Sequence, residues 1–356
     1  MLQDKRWLLV ILSLVLVSAL SLAGCSSPTE APKPGGTAIP SPAAAQVPKA
    51  ISIGTMPKGS QTNVVGAGLA KVISDYASIA AVDSPFGGYL NFVPLVNKGE
   101  LDLGLVTAPE TYYAYTATEP YKDKNTNLRL ISGGTLLNVG FACRANAGIK
   151  TMADVKGKKF GQDTSSLSTK VQDETVLRAN GIDPDKDVTK IPVAGVVEAQ
   201  NALAEGRIDF CNTSIGHPKV TETAAKVGGV YWIPFAQAAD DAAAKKIKEA
   251  LPGRDVVFIK AGTKPDVNND TWVLGLPLTL VTYNNFSEEA AYRIAKALYQ
   301  HEEQLGAIHP QLKGWTKAMV YKGAVLPYHA GAIRFYKEAG AWNDEMDQVQ
   351  KKLLSQ

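Results

Sequence analysis

The feature that most limits the fold is a unit that occurs twice. Ile51–Ala70, ISIGTMPKGSQTNVVGAGLA, runs from a short β-branched stretch through a loop of small residues, Gly54–Gln61. It continues into apolar residues at helical spacing: Val65, Leu69, Val72, Ile73 and Tyr76. Lys159–Thr169 repeats the strand and the small polar loop, and Val171, Thr175, Val176 and Ala179 repeat the helical pattern. Downstream, Gly99-Glu100-Leu101-Asp102-Leu103 and Gly206-Arg207-Ile208-Asp209-Phe210 share the pattern Gly-x-apolar-Asp-apolar. Gly99 follows Gly54 by 45 positions, and Gly206 follows Gly161 by the same 45. Two like α/β units predict two lobes facing one cleft, since ligands of open α/β sheets lie outside the carboxyl ends of the strands. A loop that leads into a helix start aims free backbone N–H groups at an anion. A bare strand-to-helix turn is the alternative for one such loop, and the second copy weighs against it.

The first loop is not a phosphate-binding loop of a common kind. Gly54 and Gly59 have P-loop spacing, but Ser60 stands where the lysine belongs. Gly66 and Gly68 lie inside the helical pattern, with Lys71 in place of the third glycine of a dinucleotide fingerprint.

The N-terminus reads as an address. Lys5 and Arg6 precede the apolar run Leu8–Leu20, and Leu22-Ala23-Gly24-Cys25 matches a lipoprotein signal peptide, which predicts cleavage after residue 24 and lipid on Cys25. An uncleaved anchor is the alternative, and both place the rest outside the membrane. Acyl chains hold a soluble domain at a bilayer. Residues 25–49 form a tether with six prolines and no aromatic residue, too poor in apolar surface to fold and extended by its prolines.

The folded part begins near Ala50, and its roughly 300 residues suffice for two lobes. The whole-chain charge of +3 loses one positive charge with residues 1–24, and no basic block appears, which disfavours nucleic acid as a partner. Lobe 1 is expected over 50–140 and 275–356, and lobe 2 over 141–274. Within them the pattern predicts a helix over Tyr89–Val96, two strands joined at a Gly133-Gly134 kink within Leu128–Arg144, and a returning strand over Gly275–Tyr283. It predicts one long helix over Glu288–Glu303 begun by Asn285-Phe286-Ser287, and terminal helices over Gly331–Ala339 and Asp344–Leu354. Cys143 and Cys211, in predicted strands of lobe 2, form either a disulfide or two buried thiols.

No catalytic set stands out. There is no Gly-x-Ser-x-Gly elbow and no His-Glu-x-x-His, and no cysteine or histidine spacing that calls for a metal. The histidines 217, 301, 309 and 329 are scattered, and a His before Pro such as His217 reads as a loop hydrogen-bonder or a ligand contact. The expectation is therefore a binding protein without catalysis, cofactor or metal. An extracellular hydrolase and a surface adhesin are the alternatives.

Seven stretches, in order, carry a family resemblance: Ile53-Gly54-Thr55 with Gly59-Ser60; Gly99–Val106; Gly148–Lys158; Ser168-Thr169-Lys170; Gly206–Asp209 with Gly216-His217-Pro218; His309-Pro310; and His329–Tyr336. Over about Ile51–Gly340 the chain resembles the TAXI-type solute receptors, the TRAP-transporter-associated immunogenic lipoproteins. The resemblance implies a two-lobed α/β fold of the type II periplasmic-binding-protein class with a ligand cleft between the lobes. It implies capture of a small organic anion or amino acid, such as glutamate or 2-oxoglutarate, and delivery to a TRAP membrane subunit. Service to an ABC transporter or a sensory system on the same fold is the alternative. Carried over by position, the ligand residues are Gly59, Ser60, Gln61, Thr62, Asn63, Gly87, Gly88, Thr107, Ser166, Ser168, Thr169, Thr213 and His217. Thr62 and Asn63 replace two tyrosines common in the family, Gly88 replaces a frequent serine, and SSLST replaces a Pro-Gly-Ser-Gly-Thr pattern while keeping Thr169. These changes predict a roomier, more polar pocket. The implied loops contain no arginine or lysine, so an anion is expected to rest on backbone N–H groups and on the hydroxyls of Ser60, Thr62, Ser168 and Thr169.

Overall fold

A computed structural model describes residues 46–164, 166–321 and 324–355. The leader 1–24, Cys25 and most of the tether lie outside the described residues. The strands are β1 (Ala50–Thr55), β2 (Ala80–Pro85), β3 (Leu103–Thr107), β4 (Leu128–Arg144), β5 (Lys159–Asp163), β6 (Thr189–Val193), β7 (Phe210–Ser214), β8 (Val230–Ile233), β9 (Asp255–Ile259) and β10 (Thr271–Tyr283). The helices are α1 (Gln61–Tyr76), α2 (Tyr89–Lys98), α3 (Ala108–Thr116), α4 (Leu167–Ala179), α5 (Gly195–Ala204), α6 (Pro218–Val227), α7 (Ala242–Ala250), α8 (Glu288–Gln300), α9 (Glu302–Ile308), α10 (Ala330–Glu338) and α11 (Asp344–Leu354).

The strands form two halves of one construction. In the first the order is β2-β1-β3-β10-β4, with β1 parallel to β2 and β3 and with β10 antiparallel to its neighbours. In the second it is β6-β5-β7-β4-β8, with β5 parallel to β6 and β7 and with β4 antiparallel to its neighbours. Each half is thus ordered 2-1-3-n-4, where n is the strand arriving from the other half. This is the type II two-lobed α/β fold. β4 and β10 run side by side through both lobes.

The repeated motif has the same physical cause in each lobe. Gly99 and Gly206 end α2 and the turn after α5 with φ of 75° and 76°, a conformation that suits glycine. Three residues after each, an aspartate returns to the first strand. Asp102 Oδ2 accepts from Ser52 N at 2.9 Å, and Asp209 Oδ2 accepts from Lys159 N at 2.8 Å. The apolar residue between packs on a strand glycine: a Cβ on Gly54 would meet Leu101 at 2.7 Å, and one on Gly161 would meet Ile208 at 2.5 Å. The 45-residue interval is the sequence trace of this packing.

Each lobe has its own core. Ile53, Leu69, Ile73, Phe92 and Leu105 join residues of β10, α8 and α10 in one cluster. In the other lobe Phe141 packs edge-on against Phe160, Phe210 and Phe235, with ring centroids 4.9–5.5 Å apart. Cys143 and Cys211 are buried free thiols.

Three expectations change. Leu128–Arg144 is one strand rather than two: β4 carries irregularities opposite Pro277–Thr279 and Leu280–Val281, and Gly134 is kept small because a Cβ there would sit 2.1 Å from the Trp315 ring. The long helix breaks at His301, which leaves the helical region (φ −119°, ψ 38°) and stacks on Tyr76 at 3.6 Å. Asp83, Ser84, Pro85 and the paired Gly87-Gly88 give Ala81–Asn91 the composition of a loop, yet Ala80–Pro85 is an edge strand paired along its length with β1.

Candidate functional site

The two small polar loops build matching helix caps. Ser60 Oγ accepts from Asn63 N at 3.2 Å and lies 3.1 Å from Thr62 Oγ1. Ser166 Oγ accepts from Thr169 N at 3.2 Å and lies 3.1 Å from Ser168 Oγ. Thr169 Oγ1 also donates to Ser166 Oγ at 2.9 Å. These hydroxyls satisfy the helix starts of α1 and α4. Asn63 is engaged within its own lobe: Nδ2 donates to Asp83 Oδ2 at 2.7 Å and Oδ1 accepts from Gly59 N at 3.2 Å. Gly59 has φ +80° and open space where a Cβ would stand, and Gly87 and Gly88 face only the Asn91 side chain. Thr213 is buried with Oγ1 unpartnered among the described residues. His217 caps α6, with Nδ1 accepting from Lys219 N at 3.1 Å, and burial lowers its pKa.

The lobes bring part of this set together. Thr107 at the end of β3 lies against the Tyr89 hydroxyl. One turn on, the Glu110 carboxyl lies near Ser168 of the other lobe, which offsets part of the rise that burial imposes on its pKa. Arg254, between α7 and β9, reaches across: its Nε donates to Gln172 Oε1 at 2.9 Å and its Nη1 to Tyr113 Oη at 3.3 Å. Beside it Gly253 packs so closely on α3 that a Cβ would sit 3.0 Å from Pro109 N. Burial dominates the electrostatics here. It pushes the Glu110 and Asp173 carboxyls up, holds the Tyr89 and Tyr121 hydroxyls protonated, and lowers the Arg254 guanidinium from its ordinary value. Asp173 accepts from Asn212 Nδ2 through Oδ1, while its Oδ2 is unpartnered among the described residues. The Tyr121 hydroxyl is turned toward Glu110 without ordinary hydrogen-bond geometry.

A groove of 1280 Å³ also lies between the lobes. Thr135, Leu136 and Asn138 of β4 line it together with residues of both lobes. Gln61 and His309–Gln311 come from one lobe, and Ile215, Gly216, Pro218 and the segment after β9 come from the other. Lys260, Lys264 and Lys313 line it and no carboxylate does. Among the described residues, no group of three His, Cys, Asp or Glu is arranged to hold a metal.

The expected ligand residues therefore divide. Gln61 lines the groove, with Gly216 and Pro218 on either side of His217. Thr107 and Ser168 reach the Glu110 junction. Sequence reasoning passed over Glu110, Arg254 and the three lysines. The available signals were Glu110 just past the end of a buried strand, and Lys260 and Lys264 bracketing a Gly262-Thr263 turn.

The chain is similar to several solved structures. The periplasmic aliphatic sulphonate binding protein SsuA from Escherichia coli is 17% identical, covers 87% of this chain and 100% of its own, and superposes with a TM-score of 0.44. A TctC solute binding protein from Polaromonas is 14% identical, covers 86% and 96%, and has a TM-score of 0.46. An ancestral arginine-binding protein bound to arginine is 15% identical, covers 76% and 99%, and has a TM-score of 0.43. Likeness at this level does not extend to a ligand. The model of the NMT1-like family matches residues 53–340, and the chain belongs to that family.

Proposed function

We propose that this chain is the extracytoplasmic solute receptor of a TRAP-type transporter, taking a small organic anion or amino acid between its lobes and handing it to a membrane subunit. The observation that carries this reading is the groove between the lobes, with three lysines and no carboxylate in its lining. Such a lining attracts anions and raises their local concentration. The start of α1, at Gln61, adds a helix N-terminus to the lining. The TAXI-type resemblance suggests the transporter class, the pattern from Lys5 to Cys25 suggests the leader 1–24 and the lipid on Cys25, and the repeated units suggest the lobe boundaries 50–140 with 275–356 and 141–274. The protein does no chemistry on its ligand in this reading: a solute that touches both lobes favours their closure because it binds the closed form better.

A thermal-shift screen of amino acids, keto acids, dicarboxylates and sulfonates tests it. A ligand at 100 times its Kd adds about 2.7 kcal/mol to the folded state. For a protein of this size that raises Tm by roughly 5–10 °C. A screen in which nothing moves Tm rejects the receptor reading.

A further inference from the structure

The groove between the lobes is larger than a short dicarboxylate or amino acid needs. Pockets of roughly 300–1,000 Å³ already enclose drug-sized ligands, and this one holds 1280 Å³. It stays this wide although the lobes touch elsewhere, where a Cβ on Gly253 would sit 3.0 Å from Pro109 N. A short acid would leave much of the groove filled with water.

The lining has two characters. Leu136, Ile215, Phe258, Ile259 and Met319 give it an apolar wall from both lobes. Phe258 is 47% exposed even though its ring meets that of Trp272 at 5.3 Å. Exposed apolar surface gathered in one place, rather than scattered singly, marks a binding site. The exposed Lys260, Lys264 and Lys313 supply the charge, and none of them makes an ion pair among the described residues. Lys264 is felt by Asp266, but that carboxyl is fully buried, its Oδ2 accepts from Gly216 N at 2.9 Å, and burial raises its pKa. Three exposed lysines against one buried carboxyl leave the groove positive. The two characters adjoin: Lys260 comes two residues after Phe258, about 7 Å along an extended chain. One ring with an acid group on it covers that span.

Resting on the receptor reading above, we propose that the groove selects anions with a ring-sized apolar body, aromatic carboxylates or sulfonates. The ring lies on Phe258 and the oxyanion is held by Lys260 and Lys264. Covering Phe258 and the wall takes apolar area of both partners out of water, which stabilises the complex. A short dicarboxylate meets the same lysines and gains nothing from the wall. Phe258 is thus a specificity-determining residue, and the lysines set the sign of the charge.

Calorimetric titration of the folded protein with two graded series tests this. One series is acetate, phenylacetate and naphthylacetate; the other is methanesulfonate, benzenesulfonate and naphthalenesulfonate. Glutarate and L-glutamate serve as short acids and phenylacetamide as a neutral ring. In at least one series the ring-bearing members are expected to bind at least tenfold more tightly than the ringless member and both short acids, and phenylacetamide is expected to bind at least tenfold more weakly than phenylacetate. Phe258→Ala is expected to weaken the aromatic anions at least fivefold, and Val82→Ala, an exposed apolar position outside the groove, to leave them unchanged. Should Phe258→Ala fail to fold, the double change Lys260→Gln with Lys264→Gln is expected to weaken the aromatic anions at least tenfold. If short acids bind the wild type as tightly as aromatic ones, if phenylacetamide binds like phenylacetate, or if the groove variants bind like the wild type, the aromatic assignment is overturned while the receptor reading stands. If no member of either series binds but the thermal-shift screen finds a ligand, the outcome is the same. If the screen is empty too, both readings fall.

Discussion

At the scale of single residues, three of the four histidines do one job. His217, His309 and His329 each begin a helix or 3-10 turn and accept through Nδ1 from the N–H two residues on, at 3.1, 3.2 and 3.2 Å. That bond needs a neutral ring. His329 is 3% exposed, and burial lowers its pKa below the ordinary value near 6.5. The unfolded chain therefore binds a proton on this residue at a pH where the folded chain does not, and stability falls as pH drops below about 6.5. Glu110 and Asp173, raised by burial, act with the opposite sign. Comparison of variants isolates the histidine: His329→Asn keeps a capping side chain, and its Tm is expected to fall less than the wild type's between pH 7 and pH 5. Equal slopes would remove this account of His329. The cap at Ser287 was legible in the sequence because a cap is local and needs only the next three residues, whereas Ser60 and Ser166, read as ligand residues, also turn out to cap α1 and α4. Arg254 was not legible, because its role depends on Tyr113, 141 positions away.

At the scale of elements, periodicity served where a helix meets its neighbours along one face. α11 occupies the expected Asp344–Leu354, and α1 buries the expected Val65, Leu69, Val72 and Ile73 but leaves Tyr76, the last of that set, exposed. It failed where a tertiary contact decides. The break between α8 and α9 follows the stacking of His301 on Tyr76, and β2 is a strand because β1 pairs with it, not because Ala80–Pro85 alternates strongly. The crossing of α10 over α8 offers an element-scale test. Gly331 sits so close that a Cβ would lie 2.0 Å from the Glu288 carbonyl oxygen and 2.9 Å from Tyr292 N. Both are backbone atoms, so neither can rotate away. Gly331→Ala is expected to cost at least 1–3 kcal/mol, the usual range for overpacking, read as a lower midpoint in urea denaturation. A midpoint unchanged from the wild type would mean that the helices separate freely, contrary to this packing.

At the scale of the whole molecule, the two-lobed plan was legible from the repeat, since the same packing of Gly, apolar residue and Asp had to arise twice. How the lobes meet was not, because no local pattern encodes it. Closure is expected to bend β4 and β10, the two strands shared by the lobes. Small-angle scattering should show a smaller radius of gyration with saturating ligand than without, and an unchanged radius would exclude closure on binding. The position of β10 has a second consequence, in time rather than in space. β10 lies between β3 and β4, although β4 follows β3 directly in the chain. When the ribosome has made β4, the strand that belongs between it and β3 does not yet exist. Two neighbours of a missing strand stand roughly 9.5 Å apart, too far to bond each other, and their free edges invite pairing with other chains. The first half of this protein therefore leaves the ribosome as an unfinished sheet, completed only when Thr271–Tyr283 arrives. Chains truncated after Asp270 are expected to aggregate, whereas chains truncated after Leu326, which retain β10, are expected to remain soluble for longer.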